Sequence, residues 1–491
     1  MVQAFVAGVL APAGRGGRTE RCGGRARLGA HSLGATTRRA GRRAFRRLGG
    51  PHVWMFLAAL CPNAATAQEA RDITVEEGVR LGLEHNARLR AARAEADAAH
   101  AAVRQIGAAR LPALRSQASY GRLSDNIPPV EFTLPGYDST FTFQGVQLDR
   151  FQTELSLEVP LMTQLRLGHE TRAAGHDAAA AVLVLEQERS DVAFDIRRAY
   201  WNLRRAVELH TTIEAALAGV EAHLLVVRER VEEGAALRRD LLAAQTRRSE
   251  VLLEQVEVEN QVRVGQLELN RLIGLPLDEP LRTVSDPGEV LTLESPPEEL
   301  NAANAPTEDD RPRLAALERQ VLGMRERVSA TGTGWFPVLD FYARWLRAKP
   351  NPYFFMEQDR FNSTWEFGLS GSWAIWEGGR RSAARSEARA RLEAAEARLQ
   401  ATTEQVAVET ARVRLEVRRA TEAVGVAEEN VREAEESFRV VGNQFEEGVA
   451  LSADVLDAEE ALRRARARLA DAMADKAIAE AAVLNALGRV W

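Results

Sequence analysis

Residues 445–457 read FEEGVALSADVLD, and residues 231–243 read VEEGAALRRDLLA. One phrase is written twice at an offset of 214 residues: Gly234 answers Gly448, Leu237 answers Leu451, and Asp240 answers Asp454. The same offset pairs Phe151 with Trp365, Leu155 with Leu369 and Gly274 with Gly488, without a gap over more than 120 residues. The chain is an internal duplication, and each copy is one unit of a repeated architecture.

Each copy reads in the same order. A helix comes first, at about 74–109 or 310–330. A strand with a Pro signal follows, at 109–123 or 334–348, and then a polar loop containing Pro. A second strand occupies 151–161 or 365–375. Next come a very long helix, the quoted turn and a returning helix. In the first long helix, apolar or small residues recur from Val192 to Val231 in alternating steps of four and three, with His210 the one polar seat. The second copy repeats this from Val406 to Phe445, with Thr410 the one polar seat. The returning helix at 455–486 keeps the period apart from Lys476; its counterpart at 241–272 is broken by Arg248 and Gln255. A period of 3.5 predicts coiled coils. Residues 163–232 would form roughly 100 Å of helix at 1.5 Å per residue, more than a compact domain uses.

The second strands alternate. Phe151, Leu155, Leu157, Val159 and Leu161 share a face, opposite Gln152, Glu154, Ser156 and Glu158. In the second copy Trp365, Phe367, Leu369, Trp373 and Ile375 oppose Glu366, Ser370 and Ser372. Taken alone, that pattern fits a half-buried soluble sheet or a membrane barrel strand with lipid on one side and a lumen on the other. Joined to such long helices, it predicts a barrel in a membrane continued by a helical tube. Four strands per chain do not close a barrel, and open edges are not tolerated in lipid. Three chains supplying twelve strands form the smallest symmetric solution with a usable lumen. The expected fold is therefore mainly α with a membrane β-barrel: coiled-coil helices building a trimeric α-barrel, and one shared 12-stranded β-barrel.

Composition agrees. The 491 residues carry 64 Lys+Arg against 70 Asp+Glu, but residues 1–50 hold eleven Arg and one acid, Glu20. The remainder has 53 basic and 69 acidic residues, a net of −16. Such a body argues against nucleic acid as a partner. The basic start reads as an export signal, with an Arg-rich segment at 38–47, an apolar one at 53–61, and small residues Ala65, Thr66 and Ala67 at the cleavage site. Leu60 makes a poor lipid-anchor context for Cys61, and RRAF at 42–45 is better explained by local Arg richness than by a twin-arginine signal. Both cysteines, Cys22 and Cys61, precede the cleavage site, so the mature chain is expected to lack disulfides and thiolate chemistry. The longest apolar run, 178–185, has eight residues, too few for a transmembrane helix. The expected divisions are a leader at 1–67, a first repeat at 68–275, an acidic Pro-rich linker at 276–309 and a second repeat at 310–491.

Between residues 72 and 488 the chain resembles the TolC-type outer membrane efflux proteins. ITVEEGVRLGLEHNARLRAARAEADAA (73–99) resembles that family's opening helix, and ARLPALRSQASY (109–120) and GWFPVLDFYARW (334–345) its first-strand signals. WAIWEGGRRSAARSEARARLEAAEARL (373–399) resembles its strand-to-helix passage, and GVALSADVLDAEEALRRARARLADA (448–472) its helix tip. The first copy departs, with MTQLRLG (162–168) in place of the Gly pair.

The resemblance implies a homotrimeric duct through the outer membrane into the periplasm, serving a periplasmic adaptor and an inner-membrane pump of RND or ABC type. It implies that Gly234, Ala235, Leu237, Gly448, Val449, Leu451 and Ser452 form adaptor-docking tips, with Gly permitting the turn. It also implies that Asp240, Asp454 and Asp457 ring a cation-favouring constriction. An Asp in a helix's first turn is favoured by the helix dipole in any case, which covers Asp240 and Asp454 better than Asp457. Where the family's closed end is latched by a tyrosine and an arginine, this chain carries Phe445 and Ala450. A relocated latch is expected between Arg238 or Arg239 and Asp454 or Asp457, in the same or a neighbouring chain. Leu155, Leu157, Phe367 and Leu369 are expected to face lipid.

No enzyme is expected and no cofactor or metal is called for. HETRA at 169–173 lacks the second His of a zinc motif, His169 and His176 read as solvated, and TGTGWFP precedes a strand, where no phosphate cradle forms. The rival reading is a soluble periplasmic coiled-coil adaptor or scaffold without a pore, which has no use for four alternating strands.

Overall fold

A computed structural model describes residues 70–284 and 311–490, apart from residues 127, 129, 134, 137–139, 144, 145 and 355–357. The leader at 1–67 lies outside the described residues, as does the linker from 285 onward.

The heptad stretches form two helices of matching length, α3 (Gln164–Glu232) and α6 (Arg380–Glu446), of 69 and 67 residues. Each turns back at its repeated phrase into α4 (Arg238–Ile273) or α7 (Ser452–Ala486). The expected opening helix is instead two, α1 (Val75–His85) and α2 (Ala87–Ala108). Asn86 makes the break: its Oδ1 accepts from the Arg88 N–H at 2.8 Å, capping α2, and its Nδ2 donates to the Leu272 carbonyl at 2.9 Å. The second copy opens with one helix, α5 (Pro312–Gly332), and Pro sits at its first position, where its missing N–H is harmless.

Four long strands, β2 (Ala113–Arg122), β5 (Asp149–Pro160), β7 (Val338–Lys349) and β8 (Asn362–Ser372), form one antiparallel sheet in that order. The loop between β2 and β5 contains a hairpin not legible in the sequence, β3 (Val130–Thr133) with β4 (Thr140–Phe143). Register sorts the faces. Leu155 lies opposite Trp345 and Leu157 opposite Ala343, which in turn oppose Trp365 and Phe367, so one face is an apolar row across the sheet. The next row reads Arg115, Ser156, Arg344 and Glu366. Arg344 bridges Glu154 at 2.9 Å and Glu366 at 3.0 Å, and Arg115 pairs with Glu158, so the opposite face is polar and ion-paired.

The helices continue the strands in the same sequence. α2 leads into β2, β5 into α3, α5 into β7 and β8 into α6, and the neighbours pack as α2–α3–α5–α6. Nearer the tips the order is α4–α3–α7–α6. The outermost helices there carry largely exposed apolar side chains: Leu253 and Val256 on α4, Leu415 and Val426 on α6. Among the described residues, β2 and β8 are likewise paired on one side only.

The main core lies at mid-height, where Ile73, Leu89, Ile196, Tyr200, Leu269 and Ile273 are fully buried together. A parallel strand pair closes it, β1 (Arg71–Ile73) with β6 (Leu281–Thr283), and Tyr200 donates its hydroxyl to the Val284 carbonyl at 2.9 Å. β6 lies within the segment expected to be a plain linker at 276–309; its Leu281 is buried, so this part belongs to the core. His169 is not simply solvated either. Its Nδ1 sits 2.7 Å from Glu326 of α5, which also accepts from Arg172 at 3.0 Å. No described helix is long and apolar enough to cross a membrane.

Candidate functional site

The two tips are built alike. After α3, Gly234 donates to the Val231 carbonyl at 3.1 Å, and Ala235 and Ala236 donate to the Arg230 carbonyl at 2.7 and 3.0 Å. After α6, Gly448 donates to Phe445 at 3.0 Å, and Val449 and Ala450 donate to Gln444 at 2.8 and 3.1 Å. These bonds satisfy the last carbonyls of each helix only if the chain passes through the left-handed region, at φ +75° for Gly234 and +79° for Gly448. No atom lies within 4 Å of a Cβ built at either glycine, so backbone conformation alone requires them.

The next helices start on their aspartates. Asp240 accepts from the Leu237 N–H at 3.2 Å and Asp454 from the Leu451 N–H at 2.8 Å. Each leucine is an N-cap without an acceptor side chain, so the carboxylate three residues on does the capping. Asp457 is exposed and makes no ion pair among the described residues.

Of the expected docking residues, Gly234, Ala235, Leu237, Gly448, Val449 and Leu451 are exposed, Val449 at 73 %. Ser452 is not: it is 8 % exposed, and its Oγ lies 2.8 Å from His223 Nε2. The first residue of α7 faces the neighbouring repeat and is not an exposed tip residue. The expected latch is not made within the chain. Arg239 pairs with its neighbour Asp240 at 3.3 Å, Arg238 makes no ion pair among the described residues, and neither meets Asp454 or Asp457.

Other residues join the repeats. Phe445 is buried against Val227 and Val455. The Arg230 guanidinium stands 4.3 Å from its ring centroid and donates to its carbonyl at 3.0 Å. The His223 ring lies 5.1 Å away, and burial, then the Arg230 charge, hold its pKa below the ordinary value, so it sits neutral. Further from the tip, Arg247 of α4 pairs with Glu460 of α7, and Arg463 bridges Glu254 at 2.7 Å and Glu460 at 2.7 Å. Glu459 is buried beside them, 4.0 Å from the Arg247 Nε but with no hydrogen bond to either carboxylate oxygen. Burial raises its pKa, against Arg247 and Arg463, which lower it. The available sequence signal for these residues was position: Arg230 and Arg463 directly flank seats of the heptad seam, where interhelical ion pairs form.

At the other end, Phe367 and Leu369 are exposed on the apolar face, Leu155 is on the same face, and Leu157 is half-buried. Trp365 stacks on Phe367, with ring centroids 5.8 Å apart. One molecule thus joins a sheet with an apolar face and a charged face, ~100 Å of helix, and two hairpin tips with exposed apolar residues.

The sequence profile described as outer membrane efflux protein matches residues 79–275 and 307–489, covering both repeats. The chain belongs to the outer membrane efflux protein family. Solved structures share its fold. The outer-membrane channel OprN is 19 % identical, over 84 % of this chain and 89 % of that one, with a TM-score of 0.69. The outer membrane protein VceC from Vibrio cholerae is 20 % identical over 84 % and 96 %, with a TM-score of 0.67. The Campylobacter jejuni CmeC outer membrane channel is 16 % identical over 84 % and 85 %, with a TM-score of 0.70. No curated protein sequence matches this chain. The TolC-type resemblance therefore holds. The protein is an efflux channel of the outer membrane extending into the periplasm, and its family is one of channels, not of enzymes. Among the described residues of this efflux channel, no cluster of His, Asp and Glu is placed to hold a metal ion.

Proposed function

We propose that three copies of this chain close into one duct, and that its tips receive cargo from a periplasmic adaptor and an inner-membrane pump of RND or ABC type. The observation that carries this reading is the pattern of unpaired edges. On the same two sides of the chain, strands β2 and β8 lack a second partner and helices α4 and α6 show bare apolar stripes. Threefold closure would cover both at once, giving a barrel without edges and a tube without exposed seams.

Leu237, Val449 and Leu451 are the apolar residues that the tip leaves to a partner. Asp240, Asp454 and Asp457, repeated three times, form a negative collar that favours cations. Arg230 on Phe445, together with the Arg247, Glu460 and Arg463 cluster, holds the resting end shut. Arg238 and Arg239 add weaker pairs to carboxylates of the neighbouring chain. A soluble adaptor or scaffold would have no use for a sheet whose outer face carries Trp365 and Phe367.

The test replaces Leu237 and Leu451 together by Asp. Export should stop while heat-modifiable trimers remain in the outer membrane. Undiminished export would refute docking at the tips. Recovery of the unmutated protein in the soluble periplasmic fraction would refute the channel itself.

A further inference from the structure

The base of the barrel carries two features that the conduction of cargo does not use. The first is a set of bare indoles. Trp373 continues the lipid-facing row of Trp365, Phe367 and Leu369, and its Nε1 donates to the Trp335 carbonyl at 3.3 Å. Trp335 therefore stands on the lipid side, and Trp376, three residues beyond Trp373, is 85 % exposed. The second is charge. Residues 101–112, 163–176, 322–337 and 377–391, which adjoin the sheet, hold eleven Arg and four Glu, a net of +7, of which Arg327 and Arg325 are offset by their ion pairs with Asp177 and Glu396 just outside these segments. The rest of the chain after residue 50 sums to −23. A basic band that tight, in so acidic a body, sits where the helices leave the apolar surface.

The two features meet at the start of α6. The Arg381 guanidinium lies 5.6 Å from the Trp335 ring centroid, donates to the Ala374 carbonyl at 2.5 Å and pairs with Glu377 at 2.8 Å, so it is a fixed strut. Arg380 has a side chain 76 % exposed and only the shared Glu377 as partner. Arg385 lies one turn below Arg381 on the same helix face, is exposed and makes no ion pair among the described residues. Glu377 neutralises one of three guanidiniums, which leaves two. Indoles favour the boundary between acyl chains and headgroups, and guanidinium groups bind phosphate oxygens in forked pairs.

We propose that this rim binds the phosphate of anionic phospholipids in the inner leaflet of the outer membrane, with Arg380 and Arg385 as its ligands beside Trp335 and Trp376. The occupant is a bilayer lipid, not a free phosphate, because the charged groups border an apolar surface continuous with the barrel's lipid face. The inference rests on membrane insertion, which is read separately from heat-modifiable trimers in every vesicle used.

The experiment reconstitutes the mature trimer in phosphatidylethanolamine vesicles containing a minor fraction of brominated phosphatidylglycerol or brominated phosphatidylcholine, and measures tryptophan quenching. The anionic lipid should be enriched around the protein by roughly fivefold or more, given the typical pull of each basic residue on an anionic surface. High salt should erase the preference, as should Arg380→Gln with Arg385→Gln, while Arg380→Lys with Arg385→Lys should retain most of it. Equal quenching by both lipids in the unmutated trimer would overturn the proposal, as would an unchanged preference in the double Gln variant. Displacement of the lipid by millimolar inorganic phosphate would overturn the assignment to a bilayer occupant.

Discussion

Replacing Arg230 by Met tests what holds the resting duct closed. Met keeps most of the aliphatic bulk and removes the guanidinium. Two interactions are lost, the contact with the Phe445 ring at 4.3 Å and the bond to the Phe445 carbonyl at 3.0 Å. A cation over an aromatic ring contributes about 0.5–2 kcal/mol. A hydrogen bond from a charged donor contributes about 1.5–3 kcal/mol net, at the lower end where water has access. That carbonyl also accepts from Gly448 at 3.0 Å, so the substitution leaves no orphaned acceptor. The net loss is therefore about 2–3.5 kcal/mol per chain, and tenfold in an equilibrium corresponds to about 1.4 kcal/mol. Even one of three clasps, so weakened, should raise the resting open probability at least about tenfold. Single-channel recording in a planar bilayer reads this directly. Arg230→Lys, which keeps a cation but not the fork, should fall between. An unchanged open probability in both variants, with trimers assembled, would show that the Arg230–Phe445 contact does not resist opening.

Other outcomes follow from the same geometry. Glu460 accepts from Arg247, Arg463 and Arg464, whereas Glu459 is buried without a hydrogen bond, so Glu460→Gln should lower the thermal stability of the trimer and Glu459→Gln should leave it equal or higher; the reverse order would refute the assignment. Phe367→Arg should cost about 2–4 kcal/mol near the membrane midplane, while Ser370→Arg, opposite Asp340 on the polar face, should be tolerated. Equal trimer yields would refute the facing of the sheet. The folded state holds His223 below its ordinary pKa of 6.5, so its contribution to stability is complete above that value and is lost as pH falls below it, where only the unfolded chain readily takes the proton. Unfolding followed from pH 7.5 to 5.5 should show this loss, and His223→Gln should flatten it. Arg238→Ser with Arg239→Ser should raise open probability less than Arg230→Met does, since exposed pairs contribute only about 0.2–1 kcal/mol each. High salt should mimic that double change, and a conductance indifferent to both would remove these arginines from the latch.

The sequence by itself determined the features that repeat at short range. The four-and-three steps from Val192 to Val231 announced α3, and its observed span, Gln164–Glu232, differs from the expected 163–232 by one residue. Alternation placed Leu155, Phe367 and Leu369 on one face before any partner strand was known, because a strand's side chains change sides at every residue. The repeated glycines marked both turns for an equally local reason. Tertiary structure alone decided what depends on segments that meet from far apart. Asn86 reads as part of a helix until the Leu272 carbonyl, 186 residues away, takes its side chain. Leu281 reads as linker until β1 pairs beside it. Ser452 looks like an exposed tip residue, yet His223 of the other repeat covers it, and Arg230 finds Phe445 across 215 residues. Periodicity records which side of an element is dry. It does not record which distant element will lie against that side, because that is settled only when burial and hydrogen bonding of the whole chain are satisfied together.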